Sequence, residues 1–173
     1  NNFIDEFKIL MPKVQLQRIK FIELIVKALV DCLELNYVKL SCKMDTRARS
    51  SSNYRRIQRF VARFRIGQAI LAKWILQKIC PDEDSRVVLT MDRTNWKFGK
   101  SNINYLVLAV CYKGMAIPLF WTLFTKRGNS ATEERKELIK RFIKTFGAHR
   151  IDCILGDREF IGQDWQGWLI EEE

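Results

Sequence analysis

The chain has 173 residues, 47% of them hydrophobic and 12% aromatic, and a net charge of +10. That is enough apolar material for a core, so wholesale disorder is excluded, and the length suits one ordinary domain or two small ones. Five scattered cysteines with no Cys-x-x-Cys pair argue against a zinc finger or disulfide scaffold and for a reducing compartment. The single histidine, His149, leaves little room for histidine-dependent hydrolase chemistry. No apolar stretch has the length of a bilayer span.

The first 35 residues are dominated by one helix over residues 14–35, with Ile19, Ile22, Val26, Leu29 and Leu33 on one stripe at spacings of three and four. Val38–Met44 reads as a short second helix, followed by a polar connector, Asp45–Asn53. Ser51 or Ser52 suits the N-cap of a third helix running through Phe64. That helix is two-faced: Ile57, Phe60, Val61 and Phe64 on one side, and Arg55, Arg59 and Arg63 at every fourth residue on another, with Arg56 beside them. Ala69–Ile79 resumes as a helix after Gly67, and Pro81 with the acids after it reads as a linker. Charge follows this division. Residues 1–80 hold 16 Lys/Arg against 6 Asp/Glu, whereas residues 81–173 hold 14 of each. A basic excess confined to one half points to a polyanion, most commonly nucleic acid. The reading is therefore a helical, basic domain over 1–80 and a second domain over 86–173.

In the second domain the period changes. Arg86–Asp92, Tyr105–Tyr112 and Met115–Thr122 read as strands, the last two forming a hairpin through Lys113-Gly114. Pro118 demotes the third to a sheet edge. Ser130 and Glu133 suggest a capping box, and the helix after it carries Leu138, Ile139, Phe142, Ile143 and Phe146 inward before stopping at Gly147. Ile151–Gly156 is a fourth strand and Gln163–Glu173 a further helix. Cys111 and Cys153, in strands, read as small core residues. The first and fourth strands have a connection long enough to pair in parallel.

That pairing would bring Asp92 and Asp157, one at the end of each strand, to one point on the sheet edge where open α/β sheets place their sites. Two hard oxygen ligands suit Mg²⁺ or Mn²⁺. An aspartate after a strand is also a common turn or cap residue, so pattern alone leaves both roles open. Arg93, Lys97, Lys126 and Arg158 flank the pair in sequence and are candidate phosphate contacts. Trp96 reads as a core anchor or a base-stacking ring.

Four blocks carry a resemblance: Asp92-Arg93-Thr94-Asn95-Trp96-Lys97-Phe98-Gly99, then Asn102-Ile103-Asn104, then Lys126-Arg127-Gly128-Asn129-Ser130, then Asp157-Arg158-Glu159-Phe160-Ile161-Gly162. In that order they resemble a DDE transposase of the insertion-sequence-four group, over roughly residues 40–173. The resemblance implies an α-helical N-terminal DNA-binding domain followed by an α/β RNase H-like domain with a mixed sheet, incomplete at the C-terminus. It implies Asp92 and Asp157 as catalytic, metal-holding residues, and Mg²⁺ or Mn²⁺ as cofactor. It also implies double-stranded DNA as partner (terminal inverted repeats and target DNA), a homodimer in a synaptic complex, and a bacterial, cytoplasmic, DNA-associated setting without membrane. The bases Arg55, Arg56, Arg59 and Arg63 would then meet DNA in helix-turn-helix fashion.

The family's third acid, a glutamate in a tyrosine-arginine-glutamate-lysine setting, has no counterpart. Glu159 and Glu171–Glu173 do not match it. The chain also opens on Asn1, so the expectation is an excerpt of a longer transposase, or a truncated, inactive DNA-binding fragment acting as inhibitor or remnant. The chain as it stands is expected to bind DNA without cutting it.

Overall fold

The computed structural model describes residues 2–99, 101–124, 131–160 and 162–171, with the side chains at 95–98, 101, 102, 159 and 163 outside the description. The described chain divides into two compact units, Asn1–Ile66 and Gly67–Glu173.

The first unit is helical: α1 (Phe3–Leu10), α2 (Leu16–Cys32), α3 (Tyr37–Lys43) and α4 (Ser50–Arg63). Asn2 and Asn36 cap α1 and α3, the Asn36 Oδ1 accepting from the backbone N–H of Val38 and Lys39 at 3.0 and 3.2 Å. Around Phe21, Ala28, Leu40, Met44 and Ile57 a core forms, flanked by Leu24, Ile25 and Phe60. The stripe drawn from the sequence of α2 is therefore rotated in its second half. Val26 and Leu33 are 40% and 89% exposed, because α3 and α4 cover the side bearing Phe21, Ile25 and Ala28 instead. Leu33 ends α2 in the left-handed region at φ 54°.

α4 starts earlier than the serine caps suggest. Ser50 is already helical, and the N-cap position falls to Arg49, with no side-chain cap. Its start is held by a residue that shows no apolar signal. Asn53 is buried, exchanges hydrogen bonds with the Thr46 hydroxyl at 2.8 and 3.1 Å, and donates to the Ser41 carbonyl at 3.4 Å. Each polar atom removed from water at this corner thus has a partner.

The second unit is α/β: α5 (Gln68–Ile79), β1 (Val87–Phe98), β2 (Ser101–Tyr112), β3 (Met115–Phe124), α6 (Thr132–Phe146), β4 (Ile151–Gly156) and α7 (Gln163–Glu171). The mixed sheet runs β3-β2-β1-β4, with β1 antiparallel to β2, β2 antiparallel to β3, and β1 parallel to β4. Lys113 and Gly114, at φ 48° and 79°, form the tight β2–β3 turn. β3 is at the edge, as Pro118 requires. Beside that proline the register shifts, so that Leu108 faces Phe120 while Ala109 faces Pro118. Leu89, Met91, Leu106, Leu108 and Val110 form one core with Ala72 and Leu76 of α5 and Leu138, Ile139 and Phe142 of α6.

Several boundaries differ from the sequence reading. α5 belongs to the sheet unit, so the division falls after Ile66 and not at residue 80. The reason is non-local: the Gln68 amide donates to the Trp121 carbonyl at 2.9 Å and accepts from its N–H at 3.1 Å, standing in for a further strand at the β3 edge. The basic excess stays with the helical unit even so, since residues 1–66 hold 14 Lys/Arg and 6 Asp/Glu. β1 does not end at Asp92. It continues to Phe98 against β2, although its polar residues there have weak strand propensity. α6 is capped one residue later than Ser130–Glu133. The Glu134 carboxylate accepts the Ala131 backbone N–H at 2.8 Å, and Ala131 has no side-chain oxygen to reciprocate; Ser130 lies outside the described residues. Cys153 is exposed on β4 and is no core residue, while Cys111 is half-buried. Among the described residues no helix is long and apolar enough to cross a membrane.

Candidate functional site

The parallel register brings the two aspartates together. Leu89 pairs with Ile154, Thr90 with Leu155 and Met91 with Gly156. Asp92 and Asp157 are each the next residue, so they stand side by side at the point where β1 and β4 part, at a strand spacing of about 4.8 Å. Side chains alternate along a strand, and partners in a parallel pair point to one face. Leu89 and Met91 face the core, so Asp92 shares the outer face with Thr90; Asp157 lies just past the end of β4, after Leu155, which is 50% exposed, and Gly156. Both aspartates are exposed.

Their local geometry is alike. Asp92 Oδ1 accepts the backbone N–H of Arg93 at 2.7 Å, and Asp157 Oδ1 that of Arg158 at 2.6 Å. Among the described residues neither second oxygen has a protein partner. One oxygen of each carboxylate is thus oriented by its own backbone and the other is available to a ligand. This donor set fits a hard divalent cation, which is commonly held by one or two carboxylates with waters and phosphate oxygens in the remaining positions. A cavity of about 200 Å³ lies beside Asp157, lined also by Met91, Phe160 and Trp165; Asp92 is not part of its lining. Among the described residues no group of three or more His, Cys, Asp or Glu side chains converges on one point.

The flanking bases divide. Arg158 is exposed and opens the 3-10 turn Arg158–Phe160 directly after Asp157. Arg93 is half-buried and, by strand alternation, faces the side opposite Asp92, so the two do not form one surface. The side chains of Trp96, Lys97 and Glu159 lie outside the described residues, as do Lys126, Glu172 and Glu173 altogether.

On α4, Arg55, Arg59 and Arg63 are exposed. Arg56 is not equivalent to them. It is half-buried, with its guanidinium 4.7 Å over the Phe21 ring and donating to Asn53 Oδ1 at 3.3 Å. Arg59 Nε donates to the Arg55 carbonyl at 3.3 Å, which lays it along the helix. Residues 44–49 join α3 to α4, a longer connection than the three- to four-residue turn of helix-turn-helix proteins. Sequence reasoning missed Arg18 of α2, whose guanidinium lies 5.7 Å from the Phe64 ring centre. Nothing in the sequence sets it apart from Lys20 and Lys27, the other bases of α2.

Compared with protein-family models, with curated proteins and with solved structures, the chain matches none.

Proposed function

We propose that the second unit is an RNase H-like nuclease core of the DDE type, and that the chain acts in DNA transposition as an insertion-sequence transposase. The observation that supports this reading is the parallel register of β1 on β4, whose last pair, Met91 with Gly156, immediately precedes the exposed Asp92 and Asp157. In this reading they hold Mg²⁺ or Mn²⁺, Arg158 meets a neighbouring phosphate, and the basic helical unit binds the transposon-end duplex. The ion, when bound, polarises a phosphodiester and lowers the pKa of an attacking water or 3′-hydroxyl. The chain's own part is to fix one carboxylate oxygen of Asp92, within β1, and one of Asp157, just past β4, so little reorganisation is needed when metal and phosphate arrive.

A second reading is a transposase-derived chain that binds DNA without cutting it. Two assays separate these readings. Divalent-ion binding that is lost in Asp92→Asn and Asp157→Asn supports the metal site common to both. Incubation of supercoiled plasmid with pure protein and Mn²⁺ then tests cleavage. Nicking that disappears in Asp92→Ala favours the enzyme, and DNA binding without nicking favours the second reading. A chain that binds neither metal nor DNA refutes both.

A further inference from the structure

Between α2 and α4 lies a cavity of about 370 Å³. Arg18, Arg56, Arg59 and Arg63 line it, together with the rings of Phe21 and Phe64. No carboxylate is in the lining, and among the described residues none of the four arginines has an acidic partner. Two of them are positioned by aromatic faces, Arg56 on Phe21 and Arg18 on Phe64. Arg56 is tied in addition to Asn53, the buried anchor of α4. Phe64 is backed by Phe60, stacked at 4.7 Å.

Four guanidinium groups around one cavity repel one another, and no acid in the lining compensates. The chemistry asks for an anion, and the rings add a flat apolar wall. A cavity of this size is at the small end of those that enclose small ligands. It is too small for a duplex, whose major groove itself admits a helix.

We propose that this cavity receives a single unstacked nucleotide of a bound DNA, its base on the outer face of the Arg18 guanidinium, which Phe64 backs, and its phosphate on Arg59 and Arg63. Aromatic rings and guanidinium planes both stack on bases, largely irrespective of sequence. The proposal rests on the DNA-binding reading of the helical unit and adds a preference that an outward arginine face would not have: an unpaired nucleotide over a paired one.

The test is fluorescence anisotropy with the full chain and three labelled DNAs of equal length: a fully paired duplex, the same duplex with one unpaired thymidine, and one with an abasic residue at that unpaired position. The unpaired thymidine should bind roughly five-fold or more tighter than the abasic probe, the effect of about 1 kcal/mol of stacking. Phe64→Leu, which keeps apolar bulk and removes the ring that holds the Arg18 guanidinium, should lower that ratio toward one. Arg18→Gln should lower it, and as an exposed position it provides the test if Phe64→Leu does not fold by circular dichroism. Equal binding of the thymidine and abasic probes, with duplex binding intact, overturns the pocket assignment and leaves the DNA-binding reading standing. That is also the result expected if the cavity takes an acidic peptide. No binding to any of the three overturns both.

Discussion

Replacing Asp92 or Asp157 by asparagine keeps the shape of the side chain and the Oδ1 acceptor that meets the next backbone N–H, and removes one negative charge. Both residues are exposed, and at one strand spacing, about 4.8 Å, two like charges repel by roughly 1 kcal/mol at water-like screening. Each single variant should therefore be as stable as wild type without metal, or more stable by up to about 1 kcal/mol. With metal the order reverses. At ten times the dissociation constant, binding to the native state adds about 1.4 kcal/mol. For a unit of this size that raises the melting temperature by about 5 °C or more. The assay is thermal unfolding at neutral pH across a Mn²⁺ titration into the millimolar range, followed by circular dichroism, for wild type and both variants. Wild type should rise with Mn²⁺ and the variants should not. A flat wild-type response, or variants that rise in parallel with it, would refute the assignment of a metal to this pair.

Three further outcomes are expected. Changing Arg55, Arg59 and Arg63 together to alanine should weaken duplex binding and reduce the slope of log affinity against log salt by about 0.9 for each phosphate that is no longer neutralised; an unchanged affinity and slope would move the recognition surface to Lys43–Arg49. Asn53→Ala should cost about 1–3 kcal/mol in chemical denaturation, because Thr46 and the Ser41 carbonyl lose a partner at a buried corner; a neutral effect would show that corner to be open to water. Asp82 accepts from the Ser85 hydroxyl and the Asp84 backbone N–H, and these hold its carboxyl below the usual carboxylate range. A depressed native pKa contributes stability above the unfolded pKa and loses it as pH falls through the native one. Ser85→Ala should thus be less stable than wild type at neutral pH, with the gap closing in acid; a gap independent of pH would assign the loss to packing.

Much of the second unit is legible in the amino-acid sequence because its signals are local. Lys113-Gly114 between two β-branched runs specifies a hairpin wherever the chain sits, and Pro118 excludes a central strand for want of an N–H. The period of Leu138, Ile139 and Phe142 marks the buried side of α6, and Gly147, at φ 89°, ends it where a side chain would be strained. The parallel pairing of β1 with β4 is permitted by the length of the crossover between them, which the sequence shows.

Other features were settled only by packing. An apolar stripe reports which side of a helix avoids water, not which neighbour covers it. Hence α5, as apolar as α2, could be assigned to its unit only through Ala72, Leu76 and the Gln68–Trp121 bonds, whose partners are 53 residues apart. The length of β1 beyond Asp92 depended on β2, since a polar stretch becomes a strand when a neighbouring strand satisfies its backbone. Arg56 shows the same limit at the level of one side chain. Its spacing places it among the outward cations of α4, and only the approach of α2 puts Phe21 beneath it, because the packing of one helix on another depends on their mutual position, which no local pattern encodes.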